Sequence, residues 1–463
     1  MKGDNLPLEG VIDEMGNLPS PVGTRLFQRA VATLCVLTAL TLSTPLAEGA
    51  PAAPRTAFRF VGTDCSAPMI DDARMSERGA LFRRCYFSPW NRSAPEVLPQ
   101  ESLWAWERWK EGEPWGENLR PHSREWMDSL LALCDIKKWG SVSRRGVACV
   151  DTDLRALPTS RPFFEDPSLA GEGFPFDYLQ NSRVKAGEPL FVGHFSADGA
   201  WAFVETGYAS GWVDSRDIAF VSEELAEKWQ DMPLAFVIDD DVALRDSRGI
   251  YRFTARVGTV LSLVRGGKGG PLTVAAPVRN ERGEAVQVEA TLLPEQASAG
   301  PLPLTEWNLA MVIDRMLGKP YGWGDLGGNR DCSGGLRDLF TAFGVWLPRN
   351  STAQARAYPW VSFDDMPVQE KEKRLVLEGK PFATLLRSPG HIMLYLGTFR
   401  GTPWIFHSMW GVRTVRDGKE GRHIVGSAVM TTLRPGRDVA DFDPGRGDLA
   451  DRLTEMTFLI SSP

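Results

Sequence analysis

The sequence lacks the features that most nucleic-acid-binding and zinc-binding proteins share. It has no long run of basic residues and a formal net charge of -7, which argue against a nucleic-acid partner. Its six cysteines include no CxxC pair, which argues against a zinc site. With 43% hydrophobic and 24% charged residues, the composition also argues against disorder and against a membrane protein with several spans. The length of 463 residues indicates about three domains.

The N-terminus has the pattern of an export signal. Arg25 and Arg29 precede the apolar run "AVATLCVLTALTLS", and the small residues of "TPLAEGAPAAP" follow it. This combination is typical of a secretory signal peptide, which we predict within residues 1–50. An uncleaved membrane anchor is the alternative, although the run is short for a span. The pattern therefore predicts export to a periplasm or to the cell surface.

The cysteines divide into an early group and one that stands alone. After Cys35, which lies in the export signal, the early group consists of Cys65, Cys85, Cys134 and Cys149. In an oxidising compartment these four can form two disulfides, with three connectivities that the sequence does not rank, or they can remain buried thiols. Cys332 has no obvious partner, and a lone thiol is the setting for a nucleophile.

Composition shifts indicate four units after the signal. Residues 55–155 are rich in aromatic and basic residues and include the helical pattern "SREWMDSLLALCDIKKWG", so we predict a mostly helical domain. Short alternating apolar runs broken by "ADG" and "TGYASG" predict a small β-barrel at 160–228. The same pattern, with a hairpin turn at "NERG", predicts a second barrel at 229–296. Residues 297–463 form the last unit.

The last unit begins with one helix and places a thiol at the start of another. Thr305 can cap a helix that Gly318 ends, with apolar positions at Trp307, Met311, Ile313, Met316 and Leu317. In "GWGDLGGNRDCSGGLRDLF", Cys332 lies between a glycine-rich loop and an apolar helical pattern, which places it in the first helical turn. Unpaired backbone N–H groups and the helix dipole are expected there to lower the pKa of the thiol.

Two of the five histidines lie where a base for this thiol is needed. In "SPGHIMLYLGTF", His391 starts a predicted strand, and in "TPWIFHSMWGV", His407 ends the next one. Antiparallel pairing through a turn at "TFRGTP" brings the two imidazoles side by side. His391 can then take the proton of Cys332 while His407 orients the other ring nitrogen. Each residue alone is more often structural, but the combination indicates a nucleophile with its base.

Three segments of the last unit resemble the NlpC/P60 cysteine peptidases. They are "PYGWGDLGGNRDCSGGLRDLFTAFGVWLPRNSTAQA", "GHIMLYLG" and "IFHSMWGV", in the order of the family's motifs, within residues 305–463. The segment "GWV" at 211–213 resembles a strand of bacterial SH3-like domains. The resemblance implies an α+β protein: a papain-like catalytic domain preceded by two small SH3-like β-barrels and a mostly helical N-terminal stabilising domain.

The resemblance also implies roles for residues in the catalytic unit. Cys332 matches the nucleophile, His391 the base and His407 the third, polar member of the triad. Tyr321 matches a tyrosine near the oxyanion, and Trp323 matches a wall of the substrate groove. The family requires no metal or organic cofactor, so none is predicted.

Other residues are predicted to contact substrate. Asp331 and Ser333 match positions that help to hold the free amine and the acid of L-Ala-γ-D-Glu in members with an SH3-like domain beside the active site. In such members the SH3-like domain lends a tyrosine and an acid, for which Tyr208 and Glu205 are the predicted residues. Many members have two glycines after this tryptophan, whereas here Trp323 is followed by Gly324, Asp325, Leu326 and Gly327.

The resemblance implies a peptidase that cleaves between γ-D-Glu and the diamino acid of peptidoglycan stem peptides with a free L-Ala amine. Three alternatives remain open at this point. They are a hydrolase of intact or crosslinked peptidoglycan, a non-catalytic wall-binding protein built around the barrels, and a papain-fold acyltransferase. The predicted partners are stem peptides, and a membrane is involved only through the export signal.

Overall fold

A computed structural model of the protein describes residues 53–267 and 269–460. The predicted export signal at residues 1–50 lies outside these ranges. Within them, no helix combines the length and the apolar character needed to cross a membrane.

The N-terminal part is helical, as predicted. Its α-helices are α1 (Asp72–Tyr86), α2 (Pro99–Ser102), α3 (Trp104–Trp109) and α4 (Arg124–Leu133), and short 3-10 helices cover Ala57–Phe60, Ser88–Asn91 and Ile136–Lys138. Asp71 and Ser123 start α1 and α4 because their side chains accept hydrogen bonds from backbone N–H groups of the first turn. The helix predicted from "SREWMDSLLALCDIKKWG" is therefore confirmed as α4.

A first β domain follows, with seven antiparallel strands and one helix. The elements are β1 (Arg144–Ala148), β2 (Thr152–Arg155), β3 (Gln180–Val184), β4 (Pro189–Phe195), β5 (Trp201–Glu205), β6 (Ser210–Asp214), β7 (Ile218–Phe220) and α5 (Glu223–Asp231). Their order in the sheet is β3-β2-β6-β5-β4-β1-β7. Trp212 of the "GWV" segment is fully buried on β6, in a hydrophobic cluster that also contains Phe203 of β5 and Met127 of α4. The first two strands lie inside the residues assigned above to the helical domain.

A second β domain repeats the pattern of short strands. It contains β8 (Leu234–Val237), β9 (Val242–Arg245), β10 (Tyr251–Ala255), β11 (Val260–Arg265), β12 (Leu272–Arg279), β13 (Ala285–Leu292) and β14 (Ala297–Ala299). Five of them form a sheet in the order β13-β12-β11-β8-β14, and β9 pairs with β10. The predicted "NERG" turn joins β12 to β13, with Arg279 opposite Ala285.

The last domain packs helices against a six-stranded antiparallel sheet. Its elements are α6 (Glu306–Met316), α7 (Cys332–Thr341), α8 (Ser351–Ala355), β15 (Trp360–Ser362), α9 (Val368–Glu378), β16 (Thr384–Ser388), β17 (His391–Phe399), β18 (Thr402–Arg416), β19 (Lys419–Thr432), α10 (Pro444–Gly447) and β20 (Glu455–Phe458). The sheet order is β15-β20-β16-β17-β18-β19. The central helix α7 is buried along its whole length.

One of the apolar positions of α6 lies off its buried face. Thr305 caps the helix as expected, accepting a hydrogen bond from the Asn308 N–H. Trp307, however, is 50% exposed and packs edge-on against Phe58 of the N-terminal segment, with 4.7 Å between ring centroids. The buried residues of α6 are Leu309, Ala310, Val312, Ile313 and Met316. The apolar face is therefore turned away from Trp307, toward α7.

Both β domains dock on the last domain through buried ion pairs. Arg330, just before α7, donates to both carboxylate oxygens of Asp240 in the second β domain, at 2.7 Å each. Its Nε also donates to Asp338 on α7 at 2.8 Å. Lys185 of the first β domain pairs with the same Asp338 at 2.5 Å. Three domains thus share one buried charge network beneath the start of α7.

Candidate active site

Cys332 is the first residue of α7, as predicted. Asp331 caps the helix, and its Oδ1 accepts a hydrogen bond from the Gly334 N–H at 2.7 Å. The backbone N–H groups of Ser333 and Ile392 lie close enough to the Cys332 thiol to lower its pKa. Because Ile392 directly follows His391, the thiol lies near the start of β17.

The predicted low pKa of this thiol is wrong for the substrate-free structure. Burial, together with the neighbouring carboxylate of Asp331, raises the pKa of Cys332 to about 12. The two N–H groups that reach the sulfur, and the guanidinium of Arg349, act in the opposite direction but do not outweigh burial. Burial also lowers the pKa of His391 to about 4. Near neutral pH the site therefore holds a neutral thiol beside a neutral imidazole.

Because the Cys332 thiol and the His391 imidazole are both neutral, the rate of alkylation of Cys332 should depend on pH. Only the thiolate reacts, so the rate of modification by iodoacetamide should rise about tenfold per unit from about pH 6 to about pH 9. Peptide-resolved mass spectrometry separates this thiol from the other cysteines. A rate that is independent of pH across this range would instead show a preformed thiolate–imidazolium pair, with a thiol pKa below the range.

The two histidines form a hydrogen-bonded chain. His391 Nε2 lies 2.7 Å from His407 Nδ1, and His407 Nε2 lies 3.0 Å from the hydroxyl of Thr431 on β19. The predicted juxtaposition on adjacent antiparallel strands is therefore present. His407 lies within β18 rather than at its end, because this strand pairs with β19 as far as Arg416.

The chain fixes the position of each ring proton. The Thr431 hydroxyl donates to the Thr432 carbonyl at 2.8 Å, so it accepts from His407 Nε2–H. His407 is fully buried, and burial holds its pKa well below the usual range, so this ring is neutral and its Nδ1 accepts from His391 Nε2–H. The Nδ1 of neutral His391 is then unprotonated and available as a base.

Two residues beside the thiol were not predicted from the sequence. Arg349, in the loop after α7, donates to Asp331 at 2.8 Å and 3.2 Å and to the Ser333 hydroxyl at 2.9 Å. It also pairs with Asp325 at 3.1 Å. Burial raises the pKa of Asp325 to about 6 despite this arginine. At Asp331, Arg349 and the hydrogen bonds from Gly334 and Ser333 together outweigh burial and lower the pKa. Two buried carboxylates thus share one guanidinium.

The loop before Cys332 places a side chain where only glycine fits at position 334. Asp325 has a left-handed backbone with φ of 62°, between Gly324 and Gly327, which have φ of 59° and 64°. Its carboxylate lies against the first turn of α7, where a Cβ on Gly334 would come within 2.1 Å of Oδ1. Only glycine at 334 leaves room for this buried acid. The departure noted in the loop after Trp323 is therefore where Asp325 enters the site.

Two cavities meet at the reacting residues. One, of about 630 Å³, is lined by Cys332, Asp331 and Ser333, and the other, of about 760 Å³, by His391. Tyr321 and Trp323 line both cavities, and their roles at the oxyanion and in the substrate groove stay predictions. Residues of α3 and the first β domain complete the wall of the cavity that contains the thiol: Trp104, Arg108, Trp109, Tyr178, Gln180, Asn181, Tyr208, Ala209 and Ser210.

The two residues predicted from the first β domain have different positions. Tyr208 lines the cavity with Cys332; its hydroxyl lies 2.7 Å from Glu188, and the Arg337 guanidinium lies 3.5 Å from its ring centroid. Glu205 was predicted incorrectly and lines neither cavity. It is buried, and its carboxylate binds Arg92 at 2.6 Å and nearby backbone N–H groups of the N-terminal domain. Its side chain faces that segment because β5 packs against it.

The five cysteines of the described ranges are all free thiols in the structure. Cys134 and Cys149 are buried, as in the alternative in which these cysteines remain buried thiols and form no disulfides. In residues 53–267 and 269–460, no group of three or more histidine, cysteine or acidic side chains is arranged to hold a metal ion.

Family models match four successive parts of the chain. The model of the N-terminal NlpC/P60 stabilising domain matches residues 32–139, and the NlpC/P60 family model matches residues 318–421. Between them, SH3 domain models of the SH3b1 and SH3b2 types match residues 162–214 and 222–267. The predicted order of a helical domain, two SH3-like domains and a catalytic domain is confirmed.

One solved structure is similar over most of the length of this chain. An NlpC/P60 endopeptidase from Photobacterium damselae subsp. piscicida is 26% identical, with a TM-score of 0.80 over 89% of this chain and 98% of that one. An NlpC/P60 family protein from Bacillus cereus is 16% identical, with a TM-score of 0.47 over 68% of this chain and 100% of that one. No curated protein sequence matches the chain.

Proposed function

Because this chain is a cysteine peptidase of the NlpC/P60 family of peptidoglycan hydrolases, we propose that it cleaves between γ-D-glutamate and the diamino acid of stem peptides with a free N-terminal L-alanine. The observation that carries the proposal is the cavity beside Cys332, which residues of α3 and the first SH3-like domain help to wall. A cavity of about 630 Å³ has room for the end of a short peptide.

In this proposal Cys332 is the nucleophile and Nδ1 of His391 is the base. Nδ1 takes the thiol proton as the sulfur attacks the γ-carbonyl carbon of D-glutamate. The oxyanion forms near Tyr321 and the backbone N–H of Cys332. The C–N bond then breaks while His391 returns its proton to the leaving amine. Water, deprotonated by the same nitrogen, hydrolyses the thioester and restores the thiol, and His407 keeps the tautomer of His391 throughout.

Charge supports recognition of the free amine. Both oxygens of Asp331 already accept hydrogen bonds, from Gly334, Gly324, Ser333 and Arg349, so no vacant oxygen supports a direct contact. Asp331 and Asp325 nevertheless share the single guanidinium of Arg349. An ammonium beside these two carboxylates would supply the missing positive charge. We propose that this imbalance selects the free L-alanine amine.

A pair of matched peptides tests the proposed function. Wild-type protein is incubated with L-Ala-γ-D-Glu-diaminopimelate, either free or N-acetylated, and the products are identified by mass spectrometry. We expect L-Ala-D-Glu from the free peptide, with kcat/KM at least about a hundredfold above that for the acetylated one, because acetylation removes the charge. Equal cleavage of both would reject the amine site and favour a hydrolase of intact wall. Cleavage of neither under reducing conditions would favour a wall-binding protein.

The hydroxyl of Thr431 should matter for turnover and not for binding. Without it, His407 can carry its proton on Nδ1, so that His391 Nε2 must accept and its Nδ1 becomes protonated and inactive as a base. We expect Thr431→Val to lower kcat roughly ten- to a hundredfold with little change in KM, and Thr431→Ser to retain activity. Thr432→Val is the matched control. Full kcat in Thr431→Val would contradict the assigned proton positions.

Export is a separate proposal. It depends on the N-terminal pattern of residues 1–50, which also fits the location of a peptidoglycan substrate. Fractionation of cells expressing the full chain, with N-terminal sequencing of the product, tests it. A product that retains Met1 in the cytoplasmic fraction would reject export.

A further inference from the structure

The larger cavity lies on the imidazole side of the reacting pair. It is lined by His391 and not by Cys332, and it shares Tyr321, Trp323 and Gly390 with the cavity that contains the thiol. In the proposed reaction the thiol bonds the acyl part and the imidazole protonates the leaving amine. The leaving diamino acid therefore occupies the larger cavity, and this step rests on the proposed function.

The described residues that line this cavity include three arginines and no acid: Arg413, Arg422 and Arg452. Glu420 pairs with Arg413 and Arg422, and Asp443 pairs with Arg413, but neither acid lines the cavity. Among the described residues, the hydrogen bonds of Arg422, to Glu420 and to the Gly421 carbonyl, both use Nη1. A guanidinium has five N–H donors, so Nε and Nη2 remain for a further acceptor. The lining thus presents donors suited to a carboxylate.

Aromatic rings form another part of the wall. Phe176 of the first SH3-like domain lies edge-on to Trp323 and to Trp410, with ring centroids 5.6 Å and 6.0 Å apart. All three line the same cavity. An elongated group with a methylene chain and a charged carboxylate end matches this combination of apolar wall and guanidinium donors.

We propose that this cavity binds the side chain of the diamino acid and selects diaminopimelate over lysine. The two differ at the end of the side chain: lysine carries an ammonium alone, whereas diaminopimelate carries an ammonium and a carboxylate. The arginines repel an ammonium, whereas they can donate hydrogen bonds to the carboxylate of diaminopimelate. Selection therefore depends on the carboxylate at the end of the side chain.

The test compares two tripeptides, L-Ala-γ-D-Glu-diaminopimelate and L-Ala-γ-D-Glu-L-Lys, on the full-length protein. We expect wild type to prefer the first by at least about tenfold in kcat/KM. Arg422→Gln should reduce this ratio several-fold, and Arg452→Gln is a second variant with the same expected direction. Arg416→Gln is the control, because Arg416 lies on the same hairpin, does not line the cavity and has an 81% exposed side chain.

The outcomes separate this inference from the proposed function. Equal kcat/KM for the two tripeptides would overturn diaminopimelate selection while leaving the cleavage reaction intact. An unchanged ratio in both Arg422→Gln and Arg452→Gln would overturn the role of the arginines. Cleavage of neither tripeptide by wild type would overturn the proposed function and, with it, the inference. The inference is supported if the ratio of kcat/KM for the two tripeptides falls in Arg422→Gln and Arg452→Gln and stays at the wild-type value in Arg416→Gln.

Discussion

Cys332→Ala is expected to abolish hydrolysis of L-Ala-γ-D-Glu-diaminopimelate, with kcat reduced by at least about 10⁴-fold. Cys332 is the only cysteine that lines either of the two described cavities at the site. The neighbouring Ser333 hydroxyl is bound to Asp331 and Arg349, so it is not expected to replace the thiol as the nucleophile. Release of L-Ala-D-Glu, followed by mass spectrometry at matched protein concentration, measures the loss.

The control for this variant is Cys85→Ala. Cys85 is a partly buried free thiol on α1 that lines neither cavity, so its removal should leave kcat unchanged. Substantial turnover by Cys332→Ala would reject covalent catalysis by this residue. Inactivity of wild type together with retained binding of wall sacculi by both proteins would point to the non-catalytic alternative.

Arg330→Met is expected to destabilise the protein by about 3–5 kcal/mol. Arg330 is buried and is the shared partner of Asp240 and Asp338, and it also donates to the Val257 carbonyl at 3.1 Å. Methionine fills a similar volume but leaves Asp240 buried without its cation. Because Asp240 belongs to the second SH3-like domain, the variant also weakens the contact between that domain and α7.

Urea unfolding followed by tryptophan fluorescence measures this effect. Arg374→Met is the control, because Arg374 pairs with Glu378 at 3.0 Å on the surface of α9, where such a pair contributes less than about 1 kcal/mol. A loss in Arg330→Met no larger than in the control would mean that the buried network contributes little to docking. Separate transitions for the domains would show that they unfold independently in the variant.

Local patterns in the sequence predicted the parts of the site that neighbours along the chain define. Cys332 after a glycine-rich loop and before an apolar helical pattern marks a helix start, because capping and periodicity are short-range properties. His391 and His407 were placed together because a hairpin fixes which residues of adjacent strands meet. The cap residue Thr305 and the turn at "NERG" were predicted on the same basis.

Properties that depend on distant contacts were predicted poorly. Glu205 was assigned to the substrate cavity, but only packing shows that its strand turns this side chain toward Arg92. Arg349 and Asp325 were missed because nothing near them in sequence marks an arginine in a loop or an acid among glycines as part of a site. Their role follows from the fold, which brings both against the start of α7.

By itself the sequence determined the domain order, the helix that begins at Cys332 and the pairing of His391 with His407. These follow from side-chain periodicity, capping and turn residues, which act over a few positions. The tertiary structure alone decided the protonation of the thiol and the docking of the SH3-like domains. Burial opposes charge more strongly than a helix terminus favours it at Cys332, and burial is a property of all surrounding domains together.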